Sequence, residues 1–196
     1  MTAVGEAVVI SIRRARPADA SAIAAVHAAT WRTAYPGLLP DAYLANLCER
    51  RLACGYQRGI QDRRDGHAVF VAVACGMEAP CGGSEVIGFA SGGRSRRPTL
   101  ADGEIETLYL LEDFRERGVG RRLMRAVAAH LRAIGCRSAM LWVLRDNPSR
   151  WFYERLGGRV AGRDVIGFAG RQIEQDAMLW DPIESLLDAT APAREG

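Results

Sequence analysis

The chain has 196 residues, of which 48% are hydrophobic and 25% are charged, a balance typical of a globular domain with an ordinary core. Its 26 basic and 23 acidic residues give a net charge of +3, which is too small to indicate a nucleic-acid partner. All 26 basic residues are arginine. The absence of lysine excludes a P-loop nucleotide site and a Schiff-base enzyme, because both need a lysine amine.

Targeting and redox signals favour the cytoplasm. The first ten residues have no basic segment before their short apolar run, so we expect no signal peptide. No run approaches the ~18 apolar residues that span a bilayer, so no membrane partner is expected. Five cysteines make an odd count without zinc spacing, which favours reduced thiols and no metal site.

The first half of the chain predicts the order β-α-α-β-β. Residues 8–13 alternate as a strand, and Pro17 opens a helix that extends towards Trp31. After a Pro-Gly turn, a second helix is predicted over residues 40–56. Strands are predicted at residues 68–75 and 85–91, and the glycine- and proline-rich segment between them indicates a hairpin.

The second half predicts β-α-β-α-β-β. Strands are expected at residues 105–111, 139–144, 159–168 and 172–180, with a long helix over 118–134 and a short one after Asn147-Pro148. Together the elements predict an α+β fold, with a mixed, mostly antiparallel sheet of about seven strands flanked by about four helices. We expect a single domain over residues 1–181 and a loose tail over 182–196.

The most informative segment is the glycine turn before the long helix. On a helical wheel Val119, Leu123, Val127 and Leu131 share one arc, which predicts an amphipathic helix packed on the sheet. Its first turn offers free N–H groups and a positive dipole, and Gly118 and Gly120 would let a phosphate approach. The alternative is a glycine-started helix with a solvated arginine face. A dinucleotide fold fits poorly, because the third glycine is missing and the motif lies in mid-chain.

Three motifs in register resemble the GNAT superfamily of N-acetyltransferases. Arg115-x-x-Gly118-x-Gly120 resembles the family's pyrophosphate loop, and the segment from Glu104 to Leu110 resembles the strand before it. The segment Asn147-Pro-Ser-Arg-Trp-Phe-Tyr-Glu-Arg-Leu-Gly-Gly158 resembles the family's motif after the following strand. The predicted order of helices and strands also resembles that of the family, from residue 8 to about residue 180.

The resemblance implies acetyl-CoA as the acyl donor. In the family the fourth and fifth strands splay apart, and the pantetheine arm lies between them like an added strand. By resemblance the backbone of Leu108 and Leu110 would pair with pantetheine, and an N–H near Leu108 could polarise the thioester carbonyl. The full set of cofactor-binding residues implied is Leu108, Tyr109, Leu110, Arg115, Arg117, Gly118, Val119, Gly120, Arg121 and Asn147.

The resemblance also implies catalytic positions. Tyr153 matches the family's general acid, with an aromatic anchor for its helix as the alternative. Glu104 matches a glutamate that starts this strand in several relatives, and Glu106 lies two residues on, hence on the same face. Either could be the base, or both could be ordinary acidic residues at a strand end.

Other positions carry weaker implications. Asn147 resembles a cofactor-contacting asparagine, although six rather than the usual seven residues separate it from Tyr153, and an N-cap is the alternative. Trp31 and Tyr35, four residues apart, could line the acceptor pocket or pack in the core.

The sequence therefore predicts an acetyl-CoA-dependent transfer of an acetyl group to a primary amine, by direct attack in a ternary complex. The acceptor would be a small molecule or a peptide, and the family allows a homodimer. Two alternatives stay open: a related transferase for protein N-termini or longer acyl groups, and a non-catalytic acyl-CoA-binding regulator.

Overall fold

Seven strands form one open mixed sheet in the computed structural model, which describes residues 8–76 and 84–192. The sheet order is β1-β2-β3-β4-β5-β7-β6, and every neighbouring pair is antiparallel except the parallel pair β4–β5. The predicted fold class is confirmed. The strands are β1 Val9–Arg14, β2 Ala68–Cys75, β3 Ser84–Arg94, β4 Gly103–Leu110, β5 Ala139–Leu144, β6 Arg159–Phe168 and β7 Arg171–Trp180.

The described residues hold six α-helices, two more than predicted. The predicted second helix is two helices, because the chain is extended at Cys48 (φ −91°, ψ 102°), between the end of the first and the start of the second. The helices are α1 Ala20–Ala34, α2 Asp41–Ala45, α3 Glu49–Asp62, α4 Val119–Ala133, α5 Arg150–Arg155 and α6 Glu184–Ala189.

The prediction of a loose tail from residue 182 is wrong for the described part of that segment. Residues 184–189 form α6, and the side chains of Ile183 and Leu186 are fully buried against the core. Burial of these two apolar side chains holds the segment in place. Residues 193–196 of the predicted tail, and residues 1–7 and 77–83 of the predicted domain and hairpin, lie outside the described residues.

The two faces of the sheet carry different helices. Helix α4 buries Val119, Leu123, Val127 and Leu131 on one face, as its periodicity predicted. Helices α1 and α3 cover β2 and β3 on the other face. No helix in residues 8–76 and 84–192 is both long and apolar enough to cross a membrane. The centre of the sheet, where β4 meets β5, therefore lies between two helical layers.

Candidate active site

A gap opens between the central strands β4 and β5. Only the first residues of β4 pair with β5, Gly103 with Ala139 and Glu104 with Met140. Among residues 8–76 and 84–192, the last six residues of β4 have no partner on that side, although β3 continues along their other edge. An unpaired strand edge presents main-chain donors and acceptors to anything that lies in the gap.

A β-bulge at Glu106 sets which residues face this gap. Ile105 pairs with Gly92 on β3 and Thr107 pairs with Ser91, so Glu106 is an extra residue in β4. Before the bulge, the Gly103 N–H donates to the main-chain carbonyl of Ser138, the residue before β5 (3.0 Å). In a regular strand the main chain of the odd-numbered residues would therefore continue to face β5.

After the bulge the alternation is reversed. The Leu111 N–H donates to the Ile87 carbonyl on β3 (2.9 Å), so Tyr109, two residues earlier, also directs its main chain to β3. The main-chain groups of Leu108 and Leu110 consequently point into the gap. Of the three predicted contacts on this strand, Leu108 and Leu110 direct their main chain to the gap. The main chain of Tyr109 faces β3 instead, and its half-buried ring lies 5.0 Å from that of His27.

The turn before α4 leaves several amides free. Glu116 (φ 60°) and Gly118 (φ 72°) both adopt left-handed backbone conformations, and Gly118 is the N-cap residue. Within the described residues, the N–H groups of residues 117–121 have no protein acceptor. Free amides combined with the positive end of a 15-residue helix favour an anion. The geometry suits a phosphate.

The arginines around this turn divide into two sets. The Arg117 guanidinium lies over the Phe114 ring (5.5 Å to its centroid) and Arg115 Nη1 is 3.9 Å from Glu112 Oε1. Both side chains therefore contact the segment that precedes α4. Arg121 donates to the Ala191 carbonyl (2.9 Å), and its guanidinium is thus held against the C-terminal segment. The main-chain N–H of Arg121 is nevertheless one of the free amides, and its role at a phosphate stays a prediction.

Helix α5 brings Tyr153 close to Tyr35 of α1. Tyr153 is 8% exposed, and burial raises its pKa well above the ordinary value, with the nearby Tyr35 raising it further. Burial also raises the pKa of Tyr35, partly offset by the neighbouring Tyr109 and Asn147 side chains. At neutral pH both hydroxyls therefore stay protonated and can donate hydrogen bonds.

Two contacts fix the start of α5. The Asn147 Oδ1 accepts the Ser149 N–H (2.8 Å), which closes the turn before the helix. Arg150 Nη1 lies 2.9 Å from Oδ2 of Asp176, a carboxylate that is only 1% exposed. Asn147 thus acts as a turn residue, close to its predicted alternative role.

The two candidate glutamates have different environments. Glu104 is almost fully buried and both of its carboxylate oxygens accept from Arg96, whose Nε and main-chain N–H each lie 3.2 Å from Oε2. Glu104 therefore anchors the loop between β3 and β4. Glu106 is more exposed and contacts an imidazole instead.

That imidazole belongs to His67, whose Nε2 lies 3.2 Å from Oε2 of Glu106. The Glu106 contact raises the pKa of His67 above its ordinary value, although burial opposes the shift, and the same contact lowers the pKa of Glu106. His67 precedes β2, two strands away, and packs against Gly93 of β3, where a Cβ would lie only 3.1 Å from the His67 Cα. The sequence analysis did not find this pair; a Gly-Gly pair in a strand was the available signal for close approach.

A cavity of about 720 Å³ opens beside Glu106 and His67, between α3, the end of α2 and β4. A second, smaller cavity of about 310 Å³ is lined by Glu104, Arg96 and Trp142. Glu106 borders both cavities. Both candidate glutamates therefore border the smaller cavity. Glu106 is the carboxylate at the junction of the two spaces.

Trp31 and Tyr35 do not border either cavity. Their rings lie 5.2 Å apart, and Trp31 also packs near Tyr43 and Phe168. They form an aromatic layer under Tyr109. This packing is closer to the alternative prediction, in which Trp31 and Tyr35 belong to the core. A further residue missed from the sequence is His27, whose Nδ1 lies 2.7 Å from the Tyr56 hydroxyl and whose pKa is lowered to about 4 by burial.

The open mixed sheet, the gap between its parallel strands and the free amides of α4 define the acyltransferase class that the sequence motifs indicated. The model of the acetyltransferase (GNAT) family matches residues 29–158, and the chain belongs to that family.

Relatives share the fold over most of their length. An uncharacterized N-acetyltransferase, YuaI of Bacillus subtilis, is 31% identical over 178 residues, covering 90% of this chain and 96% of the relative. Among solved structures, an N-acetyltransferase from Staphylococcus aureus Mu50 superposes with a TM-score of 0.65 at 19% identity, covering 88% of this chain and 98% of that one. YncA from Salmonella typhimurium, solved with acetyl-CoA, gives a TM-score of 0.63 at 19% identity, covering 88% and 93%.

Proposed function

We propose that the chain transfers an acetyl group from acetyl-CoA to a primary amine of a small molecule or peptide, by direct attack in a ternary complex. The observation that carries this proposal is the continuous path formed by the unpaired edge of β4, the free amides at the start of α4, and Glu106 beside a cavity. Acetyl-CoA, when bound, supplies the acetyl group as an activated thioester.

Binding of acetyl-CoA would use main-chain groups. Leu108 and Leu110 present donors and acceptors along the gap, as an added strand needs, and the amides of residues 117–120 would hold the pyrophosphate. Arg115 and Arg117 add positive charge beside them. A main-chain N–H near Leu108 would donate to the thioester carbonyl and stabilise the charge that develops on its oxygen.

Proton movements would involve Glu106, His67 and Tyr153. The acceptor must lose a proton before it attacks, and the Glu106–His67 pair is the titratable group at the cavity. Because Glu106 has the lowered pKa and His67 the raised one, the proton would reside on the imidazole. Tyr153, kept protonated by burial, would donate a hydrogen bond to the leaving thiolate.

The proposal is tested by titrating the protein with acetyl-CoA in a calorimeter and by following thiol release with a panel of primary amines. We expect saturable acetyl-CoA binding and amine-dependent turnover. Glu106→Gln should lower kcat/KM for the amine by about 10²-fold or more, with acetyl-CoA affinity within about twofold of wild type. Glu85→Gln is the matched control, since Glu85 is exposed on β3 away from the cavities.

Two results would contradict the proposal. Failure to bind acetyl-CoA would remove its basis. Binding without turnover of any amine, in a protein whose Glu106→Gln and Tyr153→Phe variants behave like wild type, would favour the non-catalytic regulator.

A further inference from the structure

We infer that the acceptor is a primary amine on an apolar chain that ends in an anionic group, and that it lies along α3 in the cavity beside Glu106. This inference deepens the proposed acetyl transfer and rests on it. Four features of the cavity support it: a glycine on α3 that leaves open space, an acidic end, an apolar middle and an unpaired arginine at the far end.

The empty position is Gly55, in the middle of α3. A Cβ built on Gly55 would have no atom within 4 Å, and Gly55 borders the cavity. Glycine destabilises the interior of a helix relative to almost any other residue, and nothing here requires its backbone freedom, since its φ is not positive. The missing side chain leaves open space where α3 passes the cavity.

The acidic end lies beside Gly59, one turn further along α3. A Cβ on Gly59 would be 3.6 Å from Cε1 of His67, which places the Glu106–His67 pair at this end of the helix. Glu106 also lies on the unpaired part of β4, two residues before Leu108, and so stands beside the gap for acetyl-CoA. An ammonium group of the acceptor would therefore sit here, against the carboxylate.

The far end of the cavity carries Arg51. Eight residues separate Arg51 from Gly59, which corresponds to about 12 Å along the helix. In the described part of the chain Arg51 makes no hydrogen bond and no ion pair. Arg58 also borders the cavity, but it lies at the acidic end and its Nε donates to the Cys54 carbonyl (3.3 Å). Arg51 is therefore the guanidinium free to pair with a carboxylate or phosphate.

Between the two ends the wall is apolar and aromatic, formed by Leu47, Leu52, Tyr43 and Tyr56. The polar residues of the wall include Ser91 and Thr107, whose hydroxyls bond to each other (2.8 Å). An α-amino acid has its amine and carboxylate too close together to reach both ends. The acceptor that fits carries its anion several bonds from the amine, with an apolar spacer between them.

The test compares ω-amino carboxylates of increasing chain length with alkylamines of matched length, by thiol release with acetyl-CoA. For one or more chain lengths we expect kcat/KM at least tenfold higher for the amino carboxylate. Arg51→Met should abolish this preference and leave the alkylamine rates within twofold of wild type. Arg50→Met is the matched control and should change neither, because Arg50 neighbours Arg51 on α3 but does not border the cavity.

A second variant tests the position of the acceptor. Gly55→Leu should place a side chain in the cavity without a protein clash, raise helix propensity and so retain the fold. We expect KM for the amino carboxylate to rise at least tenfold, or its calorimetric binding to the protein loaded with CoA to be lost, with acetyl-CoA affinity unchanged. Gly55→Ala, with one small group, should have a much smaller effect.

The outcomes separate this inference from the proposed function. Amine turnover with no preference for an anionic acceptor, or with a preference that survives both Arg51→Met and Gly55→Leu, would overturn the inference and leave acetyl transfer standing. Absence of all turnover would overturn the proposed function. In that case, loss of amino-carboxylate binding in Gly55→Leu would still support the cavity as its site.

Discussion

At the scale of single residues, identical side chains have different chemistry because of their neighbours. Glu104 is surrounded by donors from Arg96, whereas Glu106, two residues later, faces the imidazole of His67. Both carboxylates occupy one strand in one motif. Only the residues that approach them from other elements distinguish the structural glutamate from the one available for proton transfer.

The pKa values of the two half-buried histidines, His27 and His67, should be shifted in opposite directions. We expect NMR titration to give a pKa above 6.5 for His67, because Glu106 stabilises its charged form, and a pKa of about 4 for His27, because burial has no compensating anion. In Glu106→Gln the His67 pKa should fall below 6.5, since burial and Arg14 both disfavour its charge. A His67 pKa unchanged by this substitution would show that the two groups do not interact in solution.

The Glu106–His67 pair determines how stability and activity depend on pH. Because the folded-state pKa of His67 is raised, its contribution to stability is present below pH 6.5 and is lost as pH rises through the folded value. The Glu106 contribution is lost as pH falls through its lowered pKa. If the neutral imidazole accepts the amine's proton, activity should rise with pH through the raised His67 pKa, and this limb should move to lower pH in Glu106→Gln.

At the scale of elements, the turn into α4 depends on a left-handed residue. Gly118 has φ 72°, and a Cβ there would meet no atom within 4 Å. Gly118→Val should therefore weaken the turn through backbone strain of about 1–2 kcal/mol rather than through a clash. We expect acetyl-CoA affinity to fall at least tenfold, measured by calorimetry, while circular dichroism shows a folded protein.

Gly118→Asn is the control for this experiment, because asparagine tolerates the left-handed conformation. It should retain most of the stability that Gly118→Val loses. Wild-type affinity for acetyl-CoA in Gly118→Val would refute the assignment of this turn as the phosphate site.

The bulge in β4 is where the sequence was least informative. The periodicity of residues 105–111 predicts a strand, but a bulge of one residue leaves no mark in a segment that mixes apolar and polar side chains. The prediction that Leu108 and Leu110 pair with pantetheine came from family resemblance and not from alternation. The structure supplies the reason, since Glu106 reverses which residues face the gap.

At the scale of the whole molecule, local signals were reliable and contacts distant in sequence were not. The strands at 68–75, 139–144 and 159–168 have the predicted bounds, and the glycine turn starts α4 as expected. The break between α2 and α3 lies at Cys48, where the backbone is extended, and the sequence pattern did not predict it. The Glu106–His67 pair depends on the register of three strands, which no local pattern encodes.

Helix α6 closes the face of the sheet that α4 covers. Several arginines of α4 contact the C-terminal segment: Arg121 at Ala191, Arg125 at Leu187 (2.7 Å) and Arg132 at Glu184 (2.7 Å). The arginine face of α4, which the sequence suggested was either solvated or near phosphate, is largely used to hold this segment. The C-terminal segment is therefore connected to the same helix whose first turn presents the free amides.

This arrangement predicts that the C-terminal helix contributes to global stability. Leu186 is fully buried, so Leu186→Ala should lower the free energy of unfolding by about 2–5 kcal/mol. For a chain of this size, each kcal/mol lost should lower Tm by about 2–4 °C. Asp188→Ala, on the exposed side of α6, should change Tm little. Thermal unfolding of both variants, with and without acetyl-CoA, measures the difference. Equal Tm values for Leu186→Ala and wild type would mean that residues 184–189 behave in solution as the loose tail that the sequence suggested.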